Sequence, residues 1–210
     1  MTWLQSAPRI KLLSDNNKRK PYPLSWKEQG LLFEALPDHL TDMALFAVNT
    51  GCRDGEVCNL QWSWQVDIPQ LDTAVFIIPG EQVKNGEDRL VVLNKTAFDV
   101  VKQQTGKHPS HVFTFHGKPI TRMLNTAWLR ARKSVGLQQV RVHDLKHSLR
   151  SAGVSFEDRQ DLLGHRSGRI TTHYSTAELS RLLEAANTVC RIEGENQQPE
   201  LVVLRRLSTS

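Results

Sequence analysis

Hydrophobic and polar positions recur with two different periods along this chain, and the two periods predict a mixed fold. Helical spacing, with apolar positions three and four residues apart, first appears in "WKEQGLLFEAL". The serine directly before this string begins a capping box, "SWKE", which is typical of a helix N-terminus. A second helix is predicted to begin at Asp38 or Thr41, to run through "MALFAVNTG" and to end at Gly51. A short third helix, "DGEVCNLQW", follows Arg53.

Two β-rich runs come next, and a turn signal lies between them. The runs are "TAVFII" (73–78) and "RLVVL" (89–93), both rich in β-branched and large apolar residues. The linking stretch "PGEQVKNGED" contains Asn85-Gly86, a dipeptide typical of hairpin turns. We therefore expect a small antiparallel hairpin or a three-stranded sheet.

From Asn94 onward the spacing is helical again. The helical strings are "KTAFDVVKQQ", "RMLNTAWLRARKS", "VHDLKHSLRSA", "FEDRQDLL" and "AELSRLLEAANTVC". Gly136, Gly153 and Gly164 stand where helix C-caps are expected. The predicted fold class is α+β, mainly α-helical, with one small antiparallel β-sheet in the N-terminal half.

Composition and charge narrow the class of protein. The chain has 210 residues, enough for one well-buried domain, and we expect a linker over 1–23, a domain over 24–190 and a tail over 191–210. A net charge of +5 favours a polyanionic partner such as nucleic acid. Three cysteines without C-x-x-C spacing indicate a reducing cytoplasm. No apolar run approaches the roughly 18 residues of a membrane span, so we expect no membrane association.

The string "VHDLKHS" has two competing interpretations. His143 and His147 share a helix face, as the histidines of the zinc motif H-E-x-x-H do, and His165 could be a remote third ligand. However, Asp144 is one methylene shorter than the glutamate of such sites, and Lys146 would repel the metal. The alternative, a helix start that faces a phosphate, is therefore favoured.

Five short strings with basic or polar residues follow one another: "TGCRDGE", "KNGEDRLVVL", "HDLKHS", "LLGH" and "THYS". They resemble the motifs of the tyrosine recombinases, the phage integrase family. That family has a "TG-x-R-x-x-E" box, a hairpin lysine before "R-x-V-x-L", the string "H-D-L-R-H-T", an "L-G-H" and a nucleophilic tyrosine. Each string alone recurs by chance, whereas five in family order are specific. The resemblance covers residues 24–188.

The resemblance implies a tyrosine-recombinase catalytic domain over 24–190. It also implies a site-specific DNA recombinase or integrase that cleaves and rejoins strands through a 3′-phosphotyrosyl intermediate, with no metal or cofactor. The implied catalytic residues are Arg53, Lys84, His143, Lys146, His165 and the nucleophile Tyr174. The implied partner is double-stranded DNA, bound by a homotetramer on paired sites. The implied location is the cytoplasm, in association with the nucleoid when the protein is on DNA.

Phosphoryl chemistry gives a reason for these residue types. Attack of a tyrosine oxygen on a phosphodiester builds negative charge on the phosphate, and fixed cations stabilise that charge. The resemblance assigns to Arg53 a forked grip on two phosphate oxygens, and to His143 the role of base for Tyr174. It assigns to Lys84 the proton for the departing 5′ oxygen, and to His165 a hydrogen bond to the phosphate.

Each residue also has an ordinary structural interpretation. Arg53 could simply form a salt bridge with Glu56. Lys84 could be a solvated turn residue, and Tyr174 a half-buried phenol. Arg89 is expected at the sheet edge or in contact with the DNA backbone, outside catalysis.

Three departures from the family pattern raise a second hypothesis, a catalytically impaired, truncated integrase remnant that only binds DNA. Lys146 stands where the family has arginine, and lysine lacks the bidentate fork. The segment from Lys146 to Gly153 is shorter than in the family by about one helical turn. Residues 1–23 are too few for the family's N-terminal core-binding domain, so we expect that domain on a separate chain or lost.

Two further alternatives stay open. The same chemistry serves strand swivelling by single subunits in type IB topoisomerases, although the strings favour the integrases. The C-terminal string "ELVVLRR" fits a segment passed to a neighbouring subunit as well as one packed on its own domain.

Overall fold

Most of the described chain is helical, with one three-stranded sheet in its N-terminal half. The computed structural model describes residues 22–147, 154–164 and 174–188. The helices are, in chain order, α1 (Trp26–Ala35), α2 (Asp38–Thr50), α3 (Asp54–Cys58), α4 (Lys95–Gln104), α5 (Thr126–Ser134), α6 (Val142–Leu145), α7 (Phe156–Leu162) and α8 (Thr176–Asn187). The strands are β1 (Gln65–Ile68), β2 (Thr73–Ile78), β3 (Arg89–Val92), β4 (Thr114–Phe115) and β5 (Lys118–Pro119). The predicted α+β class is confirmed.

The first helices begin and end at the predicted signals. The Ser25 hydroxyl accepts a hydrogen bond from the Glu28 N–H, and the Glu28 carboxylate accepts one from the Ser25 N–H, so the capping box forms. Helix α2 ends at Gly51, whose φ of 65° lies in the left-handed region. Helix α3 is shorter than predicted. It ends at Cys58 because the Asn59 side chain donates to the Gly55 carbonyl at 2.8 Å and the chain turns there.

The three strands pair antiparallel in the order β1-β2-β3, which confirms the three-stranded alternative. β1 carries only a half-apolar string, "QVDI", and was not predicted as a strand of its own. The pair β4–β5 was also missed. These strands have two residues each and are joined by His116 and Gly117, which both have positive φ, the conformation of a tight hairpin turn.

The C-terminal helices fall where the spacing predicted them, with shifted starts. Helix α5 begins later than its string, because the Asn125 side chain accepts the Trp128 N–H at 3.1 Å and caps the helix there. Helix α6 covers the beginning of "VHDLKHSLRSA"; residues 148–153, including the predicted cap Gly153, lie outside the described residues. Within the described ranges, no helix is both long and apolar enough to cross a bilayer.

Two apolar clusters hold these elements together. The larger one lies among the N-terminal helices, α4, α5 and the sheet, with Leu32, Phe46, Phe76 and Trp128 fully buried. The smaller one joins α7 and α8 to β3; its buried members are Val92, Val154, Leu162, Leu163, Leu182 and Ala186. The described residues of the last two motif strings, 162–164 and 174–175, therefore lie next to the same sheet as the hairpin string.

A buried asparagine fastens the end of α8 to the rest of the fold. The Asn94 side chain accepts the Ala97 N–H at 2.9 Å and so caps α4. Its amide group donates to the Asn49 side chain at 2.9 Å and to the Ala186 carbonyl at 3.1 Å. One side chain thus connects α2, α4 and α8.

Replacing glycine by alanine should have opposite effects on the free energy of unfolding at Gly51 and at Gly30. Gly51→Ala should lower the free energy of unfolding by about 1 kcal/mol, because alanine is strained at the φ of 65° that ends α2. Gly30→Ala should raise it by about 0.5–1 kcal/mol, because Gly30 is exposed inside α1 with nothing within 4 Å of an added Cβ. Urea denaturation of both variants measures the difference. Equal shifts of the two midpoints would contradict the assignment of Gly51 as the C-cap.

Candidate active site

Arg53 lies at the N-terminus of α3, where Glu56 holds it. The Arg53 N–H donates to the Glu56 carboxylate at 2.8 Å, and the guanidinium Nη1 donates to the other carboxylate oxygen at 2.6 Å. The Arg53 side chain keeps 26% of its surface exposed, whereas that of Glu56 keeps 3%. The salt bridge considered from the sequence does form. It leaves part of the guanidinium open to solvent, so it is compatible with a catalytic role.

A second arginine binds the same carboxylate from the interior. Arg89 is 1% exposed; its Nη1 forms an ion pair with Glu56, and its Nη2 donates to the Thr50 carbonyl at 3.3 Å and the Leu162 carbonyl at 3.2 Å. The expectation that Arg89 contacts the DNA backbone is therefore wrong. β3 does lie at an edge of the sheet, but the side chain points inward because the buried Glu56 carboxylate needs a cationic partner.

The sequence contained one signal for this burial. Side chains two residues apart in a strand share a face, and Arg89 is two residues before the buried Val91. The partner Glu56 lies 33 positions earlier in the chain, so no local pattern could connect them.

His143 and Lys146 lie on and directly after α6, which packs against α2. The fully buried Asp144 accepts the Arg141 N–H at 2.9 Å and the Arg141 guanidinium at 3.4 Å. It also accepts the Tyr22 N–H at 3.5 Å. Asp144 thus fixes this turn to the beginning of the described chain. His143 on the same turn remains at the surface.

Positive charges surround the imidazole of His143. Desolvation of the ring lowers the pKa of His143 most, and the charges of Lys146 and Arg141 lower it further. The Asp144 carboxylate acts in the opposite direction, and the Arg53 guanidinium again lowers this pKa. His143 is therefore neutral at pH 7. Sequence reasoning missed Arg141, although it lies only two positions before His143.

The zinc interpretation gains no support from the described part of the chain. The His143 and His147 rings meet edge to face, with centroids 5.6 Å apart. Among the described residues, no group of three or more histidine, cysteine or acidic side chains is arranged to hold a metal ion. The third ligand that this interpretation needs, His165, lies outside the described residues.

Lys84 is exposed on the loop that joins β2 to β3. The Gly86 N–H donates to the Val83 carbonyl at 3.0 Å, and Gly86 has a φ of 74°, so the predicted turn forms here. The Gly80 N–H donates to the Asp88 carboxylate at 2.8 Å and closes the base of the loop. Lys84 therefore lies near the tip of a short, closed loop.

Tyr174 lies two residues before α8, next to the N-cap Ser175, and is half-buried against the smaller apolar cluster. Burial raises the pKa of its phenol most, and the neighbouring carboxylates of Asp161 and Glu178 raise it further. The phenol therefore keeps its proton at neutral pH and needs a base to react. The structure brings Arg53 and Lys146 within electrostatic range of His143, whereas the charged groups that act on Tyr174 are Asp161 and Glu178.

Comparison with known proteins agrees with the motif order. The model of the phage integrase family matches residues 29–181. The integrase of Salmonella phage P22 is 32% identical over 208 residues, which cover 91% of this chain and 52% of that protein. Tyrosine recombinase XerA of Pyrococcus horikoshii is 27% identical over 173 residues, which cover 76% of this chain and 58% of that protein.

Solved structures share the fold. The λ integrase dimer bound to a COC′ core site matches with a TM-score of 0.55 at 21% identity, covering 80% of this chain and 49% of that one. The pre-cleavage complex of XerH site-specific recombinase with difH substrate matches with a TM-score of 0.52 at 20% identity. That match covers 89% of this chain and 58% of the XerH chain. This chain spans about half the length of the relatives it matches. Because the family match extends over more than half of its residues, the chain belongs to the phage integrase family of tyrosine recombinases.

Proposed function

We propose that this chain cleaves and rejoins DNA strands through a covalent 3′-phosphotyrosyl intermediate on Tyr174. The observation that carries the proposal is the group of cations around one neutral histidine, His143, beside Arg53 and Lys146. Membership of the phage integrase family supports the same reaction. The proposed catalytic domain is residues 24–190, with 1–23 as linker and 191–210 as tail.

In the proposed cleavage step, the Tyr174 oxygen attacks the phosphorus and the bond to the 5′ oxygen breaks. The phenol proton passes to His143, and Lys84 gives a proton to the departing 5′ oxygen. The phosphate is then joined to tyrosine in place of the 5′ oxygen. Religation runs the same steps in reverse, with a 5′ hydroxyl of the same or another strand as the attacking group.

The described contacts suit these roles. A guanidinium has five N–H donors, and only one side-chain donor of Arg53 is used by Glu56, so others remain for phosphate oxygens. Lys146 adds a compact charge in the place of the family arginine, without the forked geometry. The lowered pKa of His143 leaves its imidazole neutral and free to accept a proton. The raised pKa of Tyr174 acts against the transfer, so the reaction depends on the cations that stabilise the charge on the phosphate. The predicted hydrogen bond from His165 remains part of the proposal.

The proposed partner is double-stranded DNA, because the family acts on it and the chain carries a net charge of +5. The structures with the same fold include a dimer on a core site and a complex with a recombination site. By extension we propose that this chain assembles as a tetramer on paired sites, in the cytoplasm and at the nucleoid. DNA affinity should fall steeply with salt, since phosphate contacts release counterions.

A DNA-binding role without cleavage is the second candidate, and one observation favours it. Burial, Asp161 and Glu178 all raise the pKa of Tyr174, which opposes formation of the nucleophilic phenolate. The two candidates differ in a single product, the covalent protein–DNA adduct.

Adduct formation on nicked duplexes tests the nucleophile. With DNA from the region flanking its own gene, the chain should form a denaturation-resistant adduct, and Tyr174→Phe should form none, because phenylalanine lacks the attacking oxygen. The DNA affinity of Tyr174→Phe should stay within about twofold of that of the unmodified chain, since the substitution removes no charge. An adduct in the Tyr174→Phe variant would refute the proposed nucleophile. DNA binding by the unmodified chain without an adduct would favour the second candidate.

The pH dependence of adduct formation tests His143. Its pKa lies below the ordinary value of 6.5, so the base is neutral and active above that pH and is protonated as the pH falls through its lowered pKa. The rate with DNA well below saturation, which reports the free protein, should therefore be level from pH 7 to 8.5 and fall on the acid side, with a midpoint below 6.5. His143→Gln should lower the level rate by about 10²-fold or more and remove this acid limb. A His143→Gln variant that kept the same acid limb would contradict the role of His143.

The proposed role of Lys84 as proton donor can be tested with a DNA substrate in which sulfur replaces the 5′ oxygen of the cleaved bond. Thiols have a pKa near 8.5, so a bridging 5′ sulfur departs without an added proton. Lys84→Ala should slow adduct formation on ordinary DNA by about 10²-fold or more, and the sulfur substrate should restore most of the rate. The matched control is Lys118→Ala, which removes another exposed lysine, on β5, and should change neither rate. A Lys84→Ala defect of equal size on both substrates would assign Lys84 to DNA binding.

A further inference from the structure

One buried guanidinium, that of Arg89, connects three of the motif strings. Its Nη1 pairs with Glu56 of the string "TGCRDGE", and its Nη2 donates to the Leu162 carbonyl at 3.2 Å, in the string "LLGH". Arg89 itself belongs to "KNGEDRLVVL", directly after the loop that carries Lys84. These strings lie far apart in the sequence and meet at this side chain.

The Glu56 carboxylate lies between two arginines with different surroundings. Arg89 is 1% exposed and binds one carboxylate oxygen from the interior, while the guanidinium of Arg53, 26% exposed, donates to the other oxygen. A buried carboxylate is stable only when it is paired and hydrogen-bonded. Because Arg89 fixes Glu56, and Glu56 binds both the backbone N–H and the guanidinium of Arg53, the position of Arg53 follows from that of Arg89.

The other side of Arg89 lies against Gly164, the residue before His165. A Cβ on Gly164 would lie 2.9 Å from the Arg89 Cδ and 3.0 Å from its Nε, closer than real Cβ contacts. Gly164 also has a φ of 59°, which favours glycine. The glycine of "LLGH" therefore leaves the space that the Arg89 side chain occupies.

We propose that Arg89 is a positioning residue for strand cleavage: through Glu56 it sets the orientation of Arg53, and through the Leu162 carbonyl it holds the end of α7 that leads to His165. The proposal rests on the proposed function for its catalytic consequence, but the orientation of Arg53 can be measured without any reaction. Lysine cannot replace Arg89, because one ammonium on a flexible stem cannot match the planar fork that reaches Glu56, Thr50 and Leu162 together.

Arg89→Lys, with Arg181→Lys as the matched control, tests the proposal through activity. Arg181 also pairs with an acid, Asp158 at 2.8 Å, but is 54% exposed on α8. Arg89→Lys should slow adduct formation at saturating DNA by about tenfold to a hundredfold, because small misplacements of a catalytic group cost that much. Its DNA affinity should stay within about twofold of that of the unmodified chain, and Arg181→Lys should change neither quantity. A folded Arg89→Lys protein with an unchanged rate, or with rate and affinity lost together, would overturn the proposal.

A glycine pair covers the case in which Arg89→Lys does not fold. Gly164→Ala should displace the Arg89 side chain, whereas Gly136→Ala introduces the same strain, at a φ of 75°, with nothing within 4 Å of the added Cβ. Adduct formation should slow by about tenfold or more in Gly164→Ala and stay near the unmodified rate in Gly136→Ala. Equal rates in the two variants would overturn the proposal.

The side-chain dynamics of Arg53 separate this proposal from the proposed function. In the DNA-free protein, 15N relaxation of the Arg53 Nε–H group should report a rigid side chain, and Arg89→Lys or Gly164→Ala should make it mobile. This result supports the positioning role even if the unmodified chain forms no adduct, which would count against the proposed function alone. An Arg53 side chain that is equally rigid in the variants would overturn the positioning role even if their adduct rates fell.

Discussion

The arrangement of the candidate site depends on a buried carboxylate held between two guanidinium groups. Glu56 is 3% exposed, and a charge at that depth is tolerated only because Arg53 and Arg89 both bind it. Since Arg89 also donates to carbonyls at the ends of α2 and α7, the same interaction fixes the relative placement of these helices and β3. Packing brings the elements together, and this polar network determines how they are aligned.

The electrostatics around His143 fit a phosphate ligand. Desolvation lowers the pKa of His143 most, and Lys146, Arg141 and Arg53 lower it further, so the imidazole stays neutral among cations. A phosphodiester would supply the negative charge that this surface lacks. The pKa of Tyr174, by contrast, is raised by burial and then by the carboxylates of Asp161 and Glu178. The base and the nucleophile are thus held in their unreacted protonation states by opposite environments.

Local signals were sufficient to predict most of the secondary structure. The capping box at Ser25, the left-handed Gly51 and the turn at Gly86 each depend on a few neighbouring residues, and each forms as predicted. The predictions failed where a distant partner or a weak pattern decided the outcome. β4 and β5 have two residues each, too few for a periodic signal. The burial of Arg89, expected at the sheet edge or in contact with the DNA backbone, depends on Glu56, which is remote in sequence.

For the site, the ordered strings predicted which residues matter, and the contacts explain how they are held. The roles of Asp144 and Arg141 depend on a turn only four residues long, whose hydrogen bonds the motif string does not encode. The pKa of Tyr174 depends on Asp161 and Glu178, which belong to different helices. Such environments arise from packing, so they could not be predicted from spacing along the chain.

The contacts of Asn94 bear on the order in which the chain is completed during synthesis. Its amide donates to Asn49, which is already present, and to Ala186, which is made 92 residues later. Until α7 and α8 have left the ribosome, the amide donor that Ala186 accepts is open to water and the apolar face of β3 at Val92 is uncovered. We therefore expect this face of the nascent sheet to be open to non-native apolar contacts until α8 docks on it.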